Sequence, residues 1–132
     1  MKIPKLPQGL NHADLHGDNV LFKENKVSGI LDFDDRFYGN ILSDVGSGIA
    51  FWCIDDKIDF EKCRFFIQAY QKERVLSQIE KEFLYEQTQM FMLVHLMYWL
   101  WDKNNWKDDI KPFKVLYNLK KITKEEFMKN IF

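Results

Sequence analysis

His12, Asp14 and Asn19 stand in the order H-x-D-L-x-x-x-N within His-Ala-Asp-Leu-His-Gly-Asp-Asn, and further on the apolar stretch Val-Ser-Gly-Ile-Leu ends on Asp32 and Phe33. Three oxygen-bearing side chains in this order could do one kind of chemistry together. Asp14 can orient or accept the proton of a hydroxyl, while Asn19 and Asp32 are oxygen donors of the sort that hold magnesium against nucleotide phosphates. Magnesium retains several waters, so one amide and one carboxylate are a sufficient protein share once phosphates complete the shell. Phosphoryl transfer is the reaction these groups fit, and zinc is not suggested. Asp and Asn are also ordinary turn formers, but two motifs in the right order weigh more than either alone.

The elements that must position these groups are short. Residues 20–23 and 27–31 read as strands with Glu24, Asn25 and Lys26 as a polar turn between them. Such a hairpin would return Asp32 to the edge that holds Asn19. Residues 33–43 read as a polar loop, and Asp44 as the cap of a helix over 45–54, worth about 1 kcal/mol. Gly46 and Gly48 suit that helix only if something packs closely against its backbone.

These residues resemble the aminoglycoside phosphotransferase and choline kinase family, which has the protein-kinase-like fold. His12 to Phe22 is similar to that family's catalytic loop, and Gly29 to Asp35 to its metal-binding segment. The resemblance implies Asp14 as the catalytic carboxylate, His12 as support for its loop, and Asn19 and Asp32 as magnesium and nucleotide ligands. It also implies Asp44 as a structural brace reaching that loop from the start of a helix. A protein kinase would have Arg at position 13 and Gly at position 34; Ala13 and Asp34 point to a small-molecule acceptor instead. Trp52-Cys53 and residues 71–80 resemble the homoserine kinases of this fold. Homoserine, choline and an aminoglycoside are all acceptors the resemblance allows.

In the resembling family a nucleotide lobe precedes the catalytic loop. Here residues 1–11 read as an extended lead-in containing Pro4, Pro7 and Gly9, and no G-x-G-x-x-G or P-loop pattern occurs downstream. The expectation is a carboxy-terminal lobe alone: a fragment, a truncated product or half of a split enzyme, inactive by itself. It would need the missing amino-terminal lobe or a partner chain. Apolar surface that such a lobe would cover favours a homo-oligomer. The alternative reading is a noncatalytic binding or oligomerisation module that retains inherited kinase residues.

The rest of the chain reads as one mainly helical domain. With 132 residues, 46% hydrophobic and 16% aromatic, there is core for one domain and too little for two. Asp59 caps a predicted helix to about residue 74, and Ser77 with Glu80 forms a capping box opening a long helix to about residue 103. Residues 90–101 of that helix are apolar except for His95. Twelve residues are too few for a membrane span, so a buried central helix with a hydrogen-bonded core histidine is expected. Tyr98, Trp99, Trp101 and Trp106 read as core or rim, although aromatic faces can hold a cation. Thr123 and Glu126 form a second capping box. Asp34, Asp35, Asp102, Asp108 and Asp109 read as scattered surface acids.

A net charge of −1, from 19 basic and 20 acidic residues, gives no reason to expect nucleic acid or a membrane surface as partner. Cys53 and Cys63 read as reduced core residues, and no signal-peptide pattern is visible, which predicts a cytoplasmic protein. The expected whole is an α+β, mainly helical, kinase-like carboxy-terminal lobe spanning residues 1–132, with a small β-hairpin carrying the metal ligands. Magnesium and ATP are the expected cofactor and phosphate donor, and a small-molecule hydroxyl the acceptor.

Overall fold

A computed structural model describes residues 5–101 and 111–132, the Trp99 side chain excepted. The described residues form an α+β structure dominated by helix: β1 (Gln8–Asn11), β2 (Val20–Lys23), β3 (Lys26–Ile30), β4 (Phe37–Asn40), α1 (Leu42–Cys53), α2 (Phe60–Glu73), α3 (Gln78–Trp101), α4 (Lys111–Lys120) and α5 (Lys124–Ile131).

The hairpin forms where the two short runs around a polar turn predict it. β2 and β3 pair antiparallel from Val20 opposite Ile30 to Lys23 opposite Lys26, with an irregularity between Leu21 and Phe22. Glu24 and Asn25 both have positive φ, 52° and 61°, the backbone that a two-residue turn needs to match the twist of its strands. The turn is therefore one residue tighter than the sequence suggested, with Lys26 already in β3.

A second pair of strands corrects the sequence reading. Instead of a lead-in and a loop, β1 and β4 pair antiparallel from Gln8 opposite Asn40 to Asn11 opposite Phe37. Four-residue strands rich in Gly, Asn and Gln carry little propensity of their own and are fixed by their partner. This ribbon delivers the chain to His12 at one end and to α1 at the other. The start of α1 is a further correction. The helix begins at Leu42, and the Asn40 side chain accepts from Leu42 N at 3.0 Å, so Asp44 lies within the first turn and is not its cap.

The core lies where α1 meets the later helices. Ile49 and Val45 of α1, Ile67 of α2, Leu84 and Met92 of α3, Leu119 of α4 and Phe127 of α5 are all buried. Free, buried Cys53 and Cys63 belong to the same core. Caps mark the helix starts as read: Asp59 accepts from Lys62 N at 3.0 Å, Ser77 N donates to Glu80 Oε2 at 2.9 Å, and Thr123 N donates to Glu126 Oε2 at 2.9 Å. Glu80 is buried and also takes a 2.6 Å bond from Arg74. Burial works against its charge, but the Ser77 bonds and the Arg74 guanidinium hold its carboxyl below the ordinary range.

The end of α3 departs from expectation. Met90, Leu93, Val94, Met97, Tyr98, Leu100 and Trp101 are exposed, with Trp101 at 88%. Met90, Val94 and Tyr98 line an open cleft, and α3, about 36 Å long, also outruns the roughly 18 Å of α1. Trp106, Asp102, Asp108 and Asp109 lie outside the described residues. Among those described, no helix is long and apolar enough to cross a membrane.

Gly46 is what lets α1 and α3 approach. A Cβ there would stand 3.0 Å from Thr88 N and 3.1 Å from the Gln87 carbonyl carbon, backbone atoms that have no rotamer to give. Replacing Gly with a side chain recovers about 1 kcal/mol of helix propensity at best, less than overpacking costs. Gly46→Val is expected to lower the unfolding free energy by roughly 2 to 3 kcal/mol in urea titration; an unchanged midpoint would mean the two helices are not in close contact.

Candidate active site

The loop between β1 and β2 is built around three anchors. The first is Asp44. From the first turn of α1 its two oxygens accept from the backbone N–H of His12 at 2.7 Å and of Ala13 at 2.9 Å. Ala13 has φ 74°, a backbone costly for any residue with a Cβ, and the two charge-assisted bonds hold it there. The second is Trp52, whose indole N–H donates to Leu15 O at 2.7 Å. The third is His12, buried, whose Nε2 donates to Leu31 O at 2.8 Å while Nδ1 accepts from Asp14 N at 3.3 Å. These partners decide which ring nitrogen carries the proton. Phe33 packs on the His12 ring at 4.4 Å between centroids.

Asp14 and Asn19 are thereby brought into contact. A short 3₁₀ turn, Gly17–Asn19, brings the Asn19 amide back over the loop, where its Nδ2 donates to Asp14 O at 2.9 Å and to Asp14 Oδ2 at 3.0 Å. His16 Nε2 stands 3.3 Å from the same Oδ2. The amide nitrogen being used this way, Oδ1 is the Asn19 atom chemically able to ligate a cation. The backbone of Asn19 accepts from Leu31 N at 2.9 Å, so the chain reaches Asp32 directly after the strand register that fixes Asn19. Asp32 has φ 58°, a conformation Asp tolerates better than most, and its exposed carboxylate accepts from Asp34 N at 3.4 Å.

An open cleft of about 950 Å³ lies beside Asp14. The loop between β1 and β2 and Asp35 form one side, Phe51 and Ser43 of α1 another, and Gln87, Phe91, His95 and Tyr98 of α3 a third; Lys111 and Pro112 of α4 complete it. Asn40 Nδ2 donates to Gln87 Oε1 at 2.9 Å and Gln87 Nε2 to Ser43 Oγ at 3.1 Å, tying α3 to the ribbon beneath the cleft. Lys111 is bound to Phe51 O and to Asp55, each at 2.8 Å.

His95 is the residue the sequence misplaced. It is half-buried, but its Nε2 lies 3.9 Å from Asp14 Oδ1. Burial pushes its pKa below the ordinary histidine value; the Asp14 carboxylate, the Ala13 backbone and Asp35 pull the other way without reversing it. One signal existed in the sequence: His95 is the one polar side chain in the apolar run 90–101.

Comparisons with known proteins bear on the family to which the chain belongs. A profile of the phosphotransferase enzyme family matches residues 2–77. A homoserine kinase of Rhodopseudomonas palustris (strain BisB5) is 39% identical over 79 residues, 58% of this chain and 24% of that protein. One from Bradyrhizobium diazoefficiens is 37% identical over 101 residues, 72% of this chain and 31% of its own length. One from Methylobacillus flagellatus is 37% identical over 75 residues, 55% of this chain and 24% of its own. The chain thus spans between a quarter and a third of the curated relatives it matches. It belongs to the phosphotransferase enzyme family.

Two outcomes follow from the geometry. Asp44→Asn keeps the shape but supplies one carbonyl oxygen where two are needed, leaving a backbone N–H unpaired; a loss of about 1 to 3 kcal/mol is expected in urea unfolding. Removing the Asp14 charge removes what favours the imidazolium. In Asp14→Asn the His95 ring, followed by NMR against pH, is therefore expected to titrate at lower pH than in the parent; a higher or unchanged value would mean the two groups do not interact.

Proposed function

We propose that this member of the phosphotransferase enzyme family is the magnesium- and acceptor-binding lobe of an ATP-dependent kinase acting on a small-molecule hydroxyl, with homoserine as the acceptor. The observation that carries the reading is the locked pair of Asp14 and Asn19 beside an open cleft, supported by the bond from Leu31 N, the residue before Asp32, to Asn19 O. The homoserine kinases among its relatives supply the acceptor.

The donor set suits magnesium. Among the described residues no three His, Cys, Asp or Glu side chains gather into a site of their own. An amide oxygen from Asn19 and a carboxylate from Asp32 are hard donors that leave room for water and phosphate oxygens. When bound, magnesium would neutralise charge on the nucleotide phosphates. Asp14 takes the acceptor's hydroxyl proton or orients it toward the phosphorus. Asn19 holds that carboxylate in place through Nδ2, His12 ties the loop to the end of β3, and Asp44 fixes both. Catalysis of this kind rests on positioning and preorganised charge more than on covalent chemistry.

The nucleotide lobe is assigned to polypeptide beyond this chain, in keeping with relatives of which the matched stretches make up only 24% and 31%. Supporting this, the hairpin bears exposed Leu21, Phe22, Val27, Ile30 and Leu31, an apolar surface suited to being covered. The same surface keeps open a second reading, a noncatalytic module that associates through it. An enzyme of this kind would work in the cytoplasm, where its phosphate donor is.

Calorimetric titration with magnesium-ATP separates the two. A binding isotherm that Asp32→Ala abolishes is expected for the kinase lobe, alone or with its nucleotide lobe restored. In the assembled enzyme Asp14→Asn is expected to lower phosphotransfer by roughly 10²- to 10⁴-fold. Turnover unchanged by Asp14→Asn would overturn the catalytic assignment, and absence of nucleotide binding in the assembled protein would leave the module reading.

A further inference from the structure

We propose that His95 is a positioning residue of the acceptor site: from α3 it faces Asp14 across the cleft, and its Nε2 holds the acceptor hydroxyl against Asp14 Oδ1. The inference rests on the phosphotransfer reading above and deepens it by naming the second group that fixes where the hydroxyl sits.

The two oxygens of Asp14 are not equivalent. Oδ2 is taken by Asn19 Nδ2 at 3.0 Å and approached by His16 at 3.3 Å, both within the loop. Oδ1 has no hydrogen-bond donor within reach among the described residues; across the cleft His95 Nε2 stands 3.9 Å from it. That separation is too long for a direct bond and suits one bridging oxygen. An oxygen about 2.8 Å from each would subtend an angle of about 90°. A hydroxyl is such a bridge, because it donates once and also accepts. As a carboxylate Asp14 can only accept, so the hydroxyl proton points to Oδ1 and Nε2–H donates to the hydroxyl oxygen.

The remaining lone pair is then free to attack. As the new oxygen–phosphorus bond forms, the proton passes to Asp14 Oδ1. The bond from the γ-phosphorus to the bridging oxygen breaks with its electron pair leaving on ADP, and His95 neither gains nor loses a proton.

The imidazole is held for this role by its neighbours. Phe51 from α1 meets it edge-on at 5.3 Å and 90°, and Phe91, one turn earlier on α3, lies at 4.6 Å. Around it stand Asp14 and His16 from the loop and Asp35 from the segment after β3. Burial keeps the ring toward its uncharged form, so it need not collapse onto Asp14 as a permanent ion pair.

The test uses L-homoserine as probe. In the wild-type chain, NMR of the histidine rings during homoserine titration is expected to shift the His95 signals; rings of His95 unmoved at saturating homoserine overturn the proposal without any variant. In the assembled enzyme, His95→Phe is expected to lower kcat/KM for homoserine roughly 3- to 10-fold, the loss of one neutral hydrogen bond, with KM for ATP unchanged. His95→Asn or His95→Gln, which keep an N–H donor, recover most of that loss. An equal loss in all three variants, or a loss shared by ATP, means a packing role and overturns it. Asp14→Asn run alongside keeps the readings apart. If that variant retains turnover the phosphotransfer assignment fails; if it is inactive while His95→Phe is normal, only the role of His95 fails.

Discussion

The carboxylate of Asp44 is the constraint on which the rest of the site depends. A backbone at φ 74° with a methyl side chain does not persist on its own account, and two N–H groups pointing the same way are hard to satisfy inside a protein. One carboxylate answers both needs. Because it comes from the first turn of α1, it also profits from the positive end of that helix. Asp44 therefore turns the rigidity of a core helix into the precise placement of a loop. A strained residue beside a catalytic candidate is sustainable only because α1 is itself held by Gly46 against α3 and by Ile49 in the core.

Everything downstream inherits that placement. With His12 and Ala13 fixed, the His12 ring reaches Leu31 and couples the loop to the end of β3; with Asp14 fixed, the Asn19 amide has something to bind. The hairpin then carries Asp32 by backbone register alone. The Asp14 and Asn19 side chains meet directly, and the bond from Leu31 N to Asn19 O fixes the strand end from which Asp32 follows. Such a site is preorganised before any ligand arrives, which is the condition for electrostatic stabilisation to be effective.

The sequence made some of this readable and not the rest, for physical reasons. The hairpin is legible because its polar turn and the short apolar runs beside it are local, and the caps at Asp59, Ser77 and Thr123 because a cap is a contact over three residues. The β1–β4 ribbon was not legible, since four-residue strands of Gln, Gly, Leu and Asn or of Phe, Tyr, Gly and Asn become strands only by finding each other. Local spacing reads Asp44 as an ordinary helix cap, because its partners stand 31 and 32 positions away, and only the family resemblance points to the brace that the structure shows. The apolar end of α3 reads as buried but is exposed, since apolarity belongs to the residue whereas burial depends on what lies alongside.

The same contrast explains why the chemistry is easier to read than the acceptor. The groups proposed for phosphoryl transfer fall within one continuous stretch, from His12 to Asp32, so their spacing survives as a motif. The walls of the cleft come from α1, α3 and α4, each contributing one or two side chains per turn, and no spacing along the chain records that Phe51, His95 and Lys111 meet. Helix faces can exchange those side chains while Asp44 continues to hold the loop, so this architecture separates the loop that carries Asp14 from the cleft walls proposed to select the acceptor. His95 stands on the boundary, a residue of the α3 wall 3.9 Å from the Asp14 carboxylate.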